Sequence, residues 1–174
     1  MRRILILFFL FSITIAAQKK KSTDLGNVTL KELKMKMYEK DSTASEVVLY
    51  EHANYYIDPS NDFKFRTDYY FKVKILKNSG ANKSIVKINL YKKEKAFEIK
   101  GVSHNVSENN TQTQQYLLDE NIFSNQINEK WKEVSFTLPE VKKGTVIEYK
   151  YSILSPYSQI DDWYFQSDIP KIRS

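Results

Sequence analysis

The 174-residue chain contains no cysteine. That excludes disulfides, thiolate metal sites, a lipid-anchoring cysteine and a catalytic thiol. Glycine and proline are sparse, four of each. With only Gly26, Gly80, Gly101 and Gly144 available, the chain has no Gly-rich loop to cradle a phosphate and no G-x-S-x-G elbow for a serine nucleophile. Histidine is limited to His52 and His104. They stand in no H-x-H, H-x-x-x-H or H-E-x-x-H arrangement and fall on different predicted strands, so both read as face residues of a sheet. The neighbouring pair Asp161 and Asp162 offers too few oxygens for calcium, which takes about six to eight, and reads as a solvated turn. No catalytic, metal or cofactor-binding residue is expected, nor any cofactor, and the chain reads as a non-enzyme. What is plentiful is aromatic: 12 Tyr, 10 Phe and 2 Trp, side chains that pack well on a pleated sheet. A hydrophobic fraction of 41% and a charged fraction of 28% fit one globular domain with a short appended segment.

Arg2 and Arg3 precede an apolar stretch over residues 4–15, and the small residues Ala16 and Ala17 follow. This pattern predicts a secretory signal peptide, residues 1–17. Cleavage after Ala16 fits nearly as well. The stretch falls short of the roughly 20 apolar residues that span a bilayer, so membrane contact is expected only during export. Loss of the two arginines lowers the net charge from +6 to +4, too modest to point to nucleic acid. The expected location is the periplasm or cell envelope, and the missing cysteine speaks against a lipoprotein. Asn27, Asn82, Asn105 and Asn109 head Asn-x-Ser/Thr sequons, which matter only in a eukaryotic export pathway.

Residues 18–28 form a polar, lysine-rich leader. Thr29 and Glu32 make an S/T-x-x-E capping box, predicting a short helix to about Tyr38 with Leu30, Leu33 and Met37 on one face. From Glu46 the period changes to two. Val47, Leu49, Ala53, Tyr55 and Ile57 share a phase, and a turn cluster at residues 58–62 follows. Then Phe63, Phe65, Thr67, Tyr69, Phe71, Val73 and Ile75 alternate with polar neighbours, predicting a long strand with one wet face. Asn78, Ser79 and Gly80 suggest a turn into a second strand with Val86, Ile88 and Leu90 inward, the two forming an antiparallel hairpin. The phase switches at Gly101, which predicts a β-bulge there. Residues 107–115 read as an exposed loop, Tyr116 to Leu118 as a short strand, and residues 119–128 stay undecided. Val134, Phe136 and Leu138 alternate before Pro139. After Lys142, Lys143 and Gly144 comes a strong strand in which Ile147, Tyr149, Tyr151 and Ile153 alternate with Val146, Glu148, Lys150 and Ser152. Residues 163–166 suggest a last short strand. About seven antiparallel strands predict a mainly-β, immunoglobulin-like β-sandwich over residues 29–170 with a short N-terminal helix. An up-and-down barrel is the rival.

Two groups are candidate ligand contacts. Lys64, Arg66, Lys72 and Lys74 fall on the polar face of one strand with Tyr70 among them, a stripe suited to an acidic glycan or a solubilising face. Tyr157, Trp163 and Tyr164 cluster near the C-terminus, where aromatic rings would serve a glycan or an envelope protein.

Several segments resemble the N-terminal domain of unknown function that precedes a transglutaminase-like core in secreted bacterial proteins. They are Leu30-Lys31-Glu32-Leu33-Lys34-Met35 with Val47-Val48-Leu49-Tyr50, then Lys72-Val73-Lys74-Ile75-Leu76-Lys77 with Gly80. Phe136-Thr137-Leu138-Pro139 leads on to Gly144, Val146-Ile147-Glu148-Tyr149 and Ser155-Pro156, and Trp163-Tyr164-Phe165-Gln166 with Asp168-Ile169-Pro170 closes the series. The resemblance implies a β-sandwich and, as partner, a downstream transglutaminase-like domain of which residues 171–174 would be the start. That core's catalytic Cys, His and Asp would lie beyond Pro170, so its thiol chemistry does not carry over to this chain.

Overall fold

The computed structural model describes residues 23–158, 160 and 162–174. The expected signal peptide and the first part of the leader lie outside the described residues, as does Asp161. Among the described residues no helix is long and apolar enough to cross a membrane. The chain is an antiparallel β-sandwich with one short helix.

Both halves of the capping box form at helix α1, Leu30–Lys34. Glu32 N donates to Thr29 Oγ1 at 3.2 Å and Thr29 N donates to Glu32 Oε2 at 2.7 Å. The helix stops at Met35, short of the expected Tyr38, because its apolar face ends with buried Leu33 while Met37 lies exposed. A helix this short stands only through tertiary packing.

Strands β1 (Glu46–Asp58) and β2 (Lys64–Ile75) form a hairpin around a 3-10 turn, Pro59–Asn61, where Ser60 N donates to Asp58 Oδ1. Strand β8 (Val146–Ser155) pairs with β2 on its other side, followed by β4 (Lys95–Val106) and β5 (Gln112–Tyr116). This five-stranded sheet, ordered β1-β2-β8-β4-β5, faces a three-stranded one ordered β3-β7-β6. The smaller sheet consists of β3 (Ile85–Tyr91), β6 (Ile122–Gln126) and β7 (Trp131–Thr137). Every strand pairing is antiparallel.

The main core lies between the sheets. Val48, Val73, Ile75 and Ile147 meet Ile88, Leu90, Val134, Phe136 and Leu138. A second core lies on the outer side of the large sheet, where Leu33 packs with Val47, Leu49, Leu76 and Val146. The N-terminal segment therefore forms a third layer, and it overturns one expectation. The polar face of β2 is not wet along its length: Lys74 is 0% exposed and Lys72 3%. The segment lies across both, and each ammonium reaches up to its carbonyls, Lys72 to Asn27 O and Lys74 to Leu33 O, with Gly144 O also accepting from Lys74.

The other departures are matters of pairing. Strand β3 does not form a hairpin with β2. It pairs with β7 in the opposite sheet, and the turn Asn78–Ser84 carries the chain across. The phase in β1 shifts at a bulge between Val48 and Tyr50, so Val48 joins the main core while Val47 and Leu49 face α1. In β4 the register slips between Phe97 and Lys100, with Glu98 at φ 53°, so the bulge precedes Gly101. The expected loop over residues 107–115 contains most of β5, a fully exposed edge strand that periodicity cannot reveal. Residues 119–128 hold β6, and residues 163–166 form no strand.

Candidate functional site

Among the described residues, three polar or aromatic assemblies stand on faces set by the alternation of the central strands. On the outer face of the large sheet, register sets Lys72 directly opposite Glu148. Tyr70 and His104, on the flanking strands, converge on the same carboxylate. Tyr70 Oη donates to Glu148 Oε1, His104 Nε2 lies 2.8 Å from Oε2, and Gly26 N donates to Oε2 at 2.7 Å. Lys72 Nζ lies 3.6 Å from Glu148 Oε1 and 3.5 Å from Glu32. Burial works to raise the Glu148 carboxyl, but the bonds from His104, Tyr70 and Gly26 and the nearby Lys72 charge outweigh it and hold it below its ordinary value. Burial and the same carboxylate push the Tyr70 phenol upward. A His–Glu–Tyr group suggests proton chemistry on paper. Here both carboxylate oxygens are filled by protein donors and Glu148 is fully buried, which leaves no position for a reacting atom. The group fastens the N-terminal layer to the sheet. His104 is thus a buried member of this network, whereas His52 lies exposed, its ring stacked on Tyr50.

Further along the same face lies a cleft of about 430 Å³, lined among others by Tyr50, His52, Asn54 and Lys150. At its wall Arg66 is saturated. Its Nε meets Asp68 at 2.6 Å, its Nη2 meets Glu98 at 2.6 Å, and its guanidinium lies 4.8 Å over the Phe97 ring. The four basic candidates therefore do not act together. Lys72 and Lys74 are covered, Arg66 is neutralised, and Lys64 pairs with exposed Asp62 at 2.9 Å. Sequence reasoning missed Glu148 as the hub, although its place opposite Lys72 becomes readable once β2 and β8 are known to pair.

The third assembly lies between the sheets. Five strands cannot be fully covered by three, and the uncovered inner face carries stacked rings. Tyr55 lies 5.6 Å from Phe65 and Tyr69 lies 5.0 Å from Tyr151, continuing a stack that begins in the core, where Phe71 lies 4.9 Å from Tyr149 beneath Phe136. Tyr157 and Trp163, both candidates from the sequence, line two clefts here that share a wall. Tyr164 stands outside, exposed, with its hydroxyl donating to Asp162 at 3.3 Å. Among the described residues no three His, Asp or Glu side chains converge to hold a metal. The Asn105 sequon is buried, its amide donating to Glu140 O and its Oδ1 accepting from Thr145.

No family model matches the chain. No curated protein matches it either. Among solved structures, one described as a "putative protease" from Parabacteroides distasonis is similar over 64% of this chain, with 10% identity and a TM-score of 0.47. The match spans 23% of that protein's chain, so this chain corresponds to under a quarter of its length.

Proposed function

We propose that this chain is a non-catalytic β-sandwich of an exported protein, the accessory or substrate-positioning domain of a transglutaminase-like protein. The carrying observation is the closure of the Glu148 network. The place where Glu148, His104 and Tyr70 meet is sealed by backbone and side-chain donors of the chain itself. There is no cysteine to supply the thiolate on which transglutaminase-like chemistry depends.

The residues that carry the resemblance also do structural work here. Phe136 and Leu138 are core residues, and Pro170 O accepts from Val48 N at 2.9 Å. Residues 170–173 thereby run parallel to the start of β1, with Ile172 N donating to Val48 O and Glu51 N to Arg173 O. Buried Glu51 receives Lys171 at 2.7 Å and Ser174 Oγ at 2.8 Å. A segment fastened to β1 in this way suits a domain that presents another unit in a fixed orientation.

The test is turnover by the purified chain against peptide, ester and glutaminyl-amide substrates. The expected result is no rate above the blank. A rate that His104→Ala or His52→Ala abolishes would overturn the reading. A stand-alone module for a glycan or an envelope protein is the second reading, favoured by the aromatic clefts between the sheets.

A further inference from the structure

We propose that the two adjoining clefts between the sheets form one binding site for a neutral oligosaccharide. The inference deepens the stand-alone reading, on which it rests in part, and it serves a substrate-positioning domain equally. The clefts measure about 560 and 410 Å³, within the roughly 300–1,000 Å³ of small-ligand sites. Tyr55, Thr67, Tyr69, Asn89 and Ile153 line both, so they are two ends of one trough.

The lining fixes the class of ligand. At one end Tyr91 packs at 5.1 Å against Trp131 and at 5.7 Å against Tyr157, and at the other end stands Trp163. Both tryptophans of the chain thus line the trough. A sugar ring is amphipathic: its C–H face lies well on an aromatic ring, and its hydroxyls at the rim need hydrogen-bond partners. The shared wall supplies such partners. Tyr55 Oη is buried with no partner among the described residues, a state that is costly when nothing satisfies it. Thr67 and Asn89 add a hydroxyl and an amide to the same wall.

The charged groups of the trough, by contrast, are engaged. Lys87 pairs with Glu133 at 3.2 Å. Glu94 accepts from Tyr91 N and from Ser155 Oγ. Asp162 accepts from Tyr164 Oη. The donors to Glu94 and Asp162 are neutral, so both carboxylates keep their negative charge at the trough, which favours an uncharged sugar chain over an acidic glycan.

The tryptophans make the test direct. The full chain is titrated with cellohexaose, chitohexaose and xylohexaose while tryptophan emission is followed. At least one should give a saturable change, and Trp131→Ala should weaken that binding at least tenfold. Asn89→Ala lies on an exposed strand position and should weaken it several-fold with the melting temperature unchanged. No saturable change with any of the three sugars would overturn the proposal. So would undiminished binding in both variants, or saturation by polygalacturonate or an aromatic-rich peptide in their place. None of these outcomes bears on whether the chain catalyses a reaction, which the turnover assay decides.

Discussion

Gly101 is where a single missing carbon matters most. A Cβ there would lie 2.3 Å from Leu138 Cδ2, so the strand can pass this core leucine only without a side chain. Gly101→Ala should lower stability by about 1–3 kcal/mol through overpacking, and Leu138→Val in the same chain should recover part of it. Denaturant titration of the single and double variants checks this. Glu148 is the matching case among polar residues. Glu148→Gln leaves the buried ammonium of Lys72 with Glu32 as its remaining counter-charge, a loss towards the lower end of the about 3–5 kcal/mol for breaking a buried pair. Because the folded-state carboxyl is held below its ordinary value of 4.5, its contribution is complete above that pH and fades as pH falls through the lower folded value. The gap between wild type and variant should therefore close towards acid, as urea unfolding at pH 7 and pH 3 would reveal. Sequence exposed Gly101 as special, since the alternation breaks there, but it assigned the bulge to the wrong residue. What forces glycine is the approach of Leu138, a contact that no local pattern carries.

At the scale of elements, strands in which apolar and polar side chains alternate were legible, because alternation records directly which face meets the main core. Strands β1, β2 and β8 are of this kind. Pairing was less legible. The turn after β2 resembles a hairpin turn, yet its Gly80 passes the Ser45 carbonyl so closely that an added Cβ would lie 2.5 Å from that oxygen. Leu76 N and Lys77 N donate to the same carbonyl, which ties the end of β2 to the chain before β1 while β3 goes to the other sheet. The lysines of β2 misled for a related reason. A polar residue on a strand reads as wet, but a long ammonium under a third layer can reach its carbonyls. Lys74→Met should orphan Leu33 O and Gly144 O, lowering stability by about 1–3 kcal/mol and loosening residues 26–34. Proteolysis within that segment, faster in the variant, is the measurement. The C-terminal segment along β1 makes its own prediction. Ile172→Pro removes the donor to Val48 O, so the Val48 and Glu51 amides, whose acceptors lie in residues 170–173, should exchange with solvent at least tenfold faster while the amides of β8 keep their protection.

Over the whole molecule, the mismatch between a five-stranded and a three-stranded sheet sets where a ligand could enter. Composition announced the aromatic excess, and the sequence singled out Tyr157 and Trp163. It could not reveal that Tyr55, Tyr91 and Trp131, far apart along the chain, stand beside them, because that depends on which sheet each strand joins. The buried network on the other side of the large sheet locks the N-terminal layer in place, and residues 170–173 lock the far end of the chain along β1. Fastening residues 26–34 through Glu148 and residues 170–173 along β1, with the aromatic trough open between them, would suit the proposed role of holding and orienting. The reading frame beyond the codon for Ser174 tests that account most directly. The account predicts that the frame stays open into a domain carrying the Cys, His and Asp of a transglutaminase-like core. A stop codon directly after Ser174, with a native exported product no larger than this chain, would contradict it.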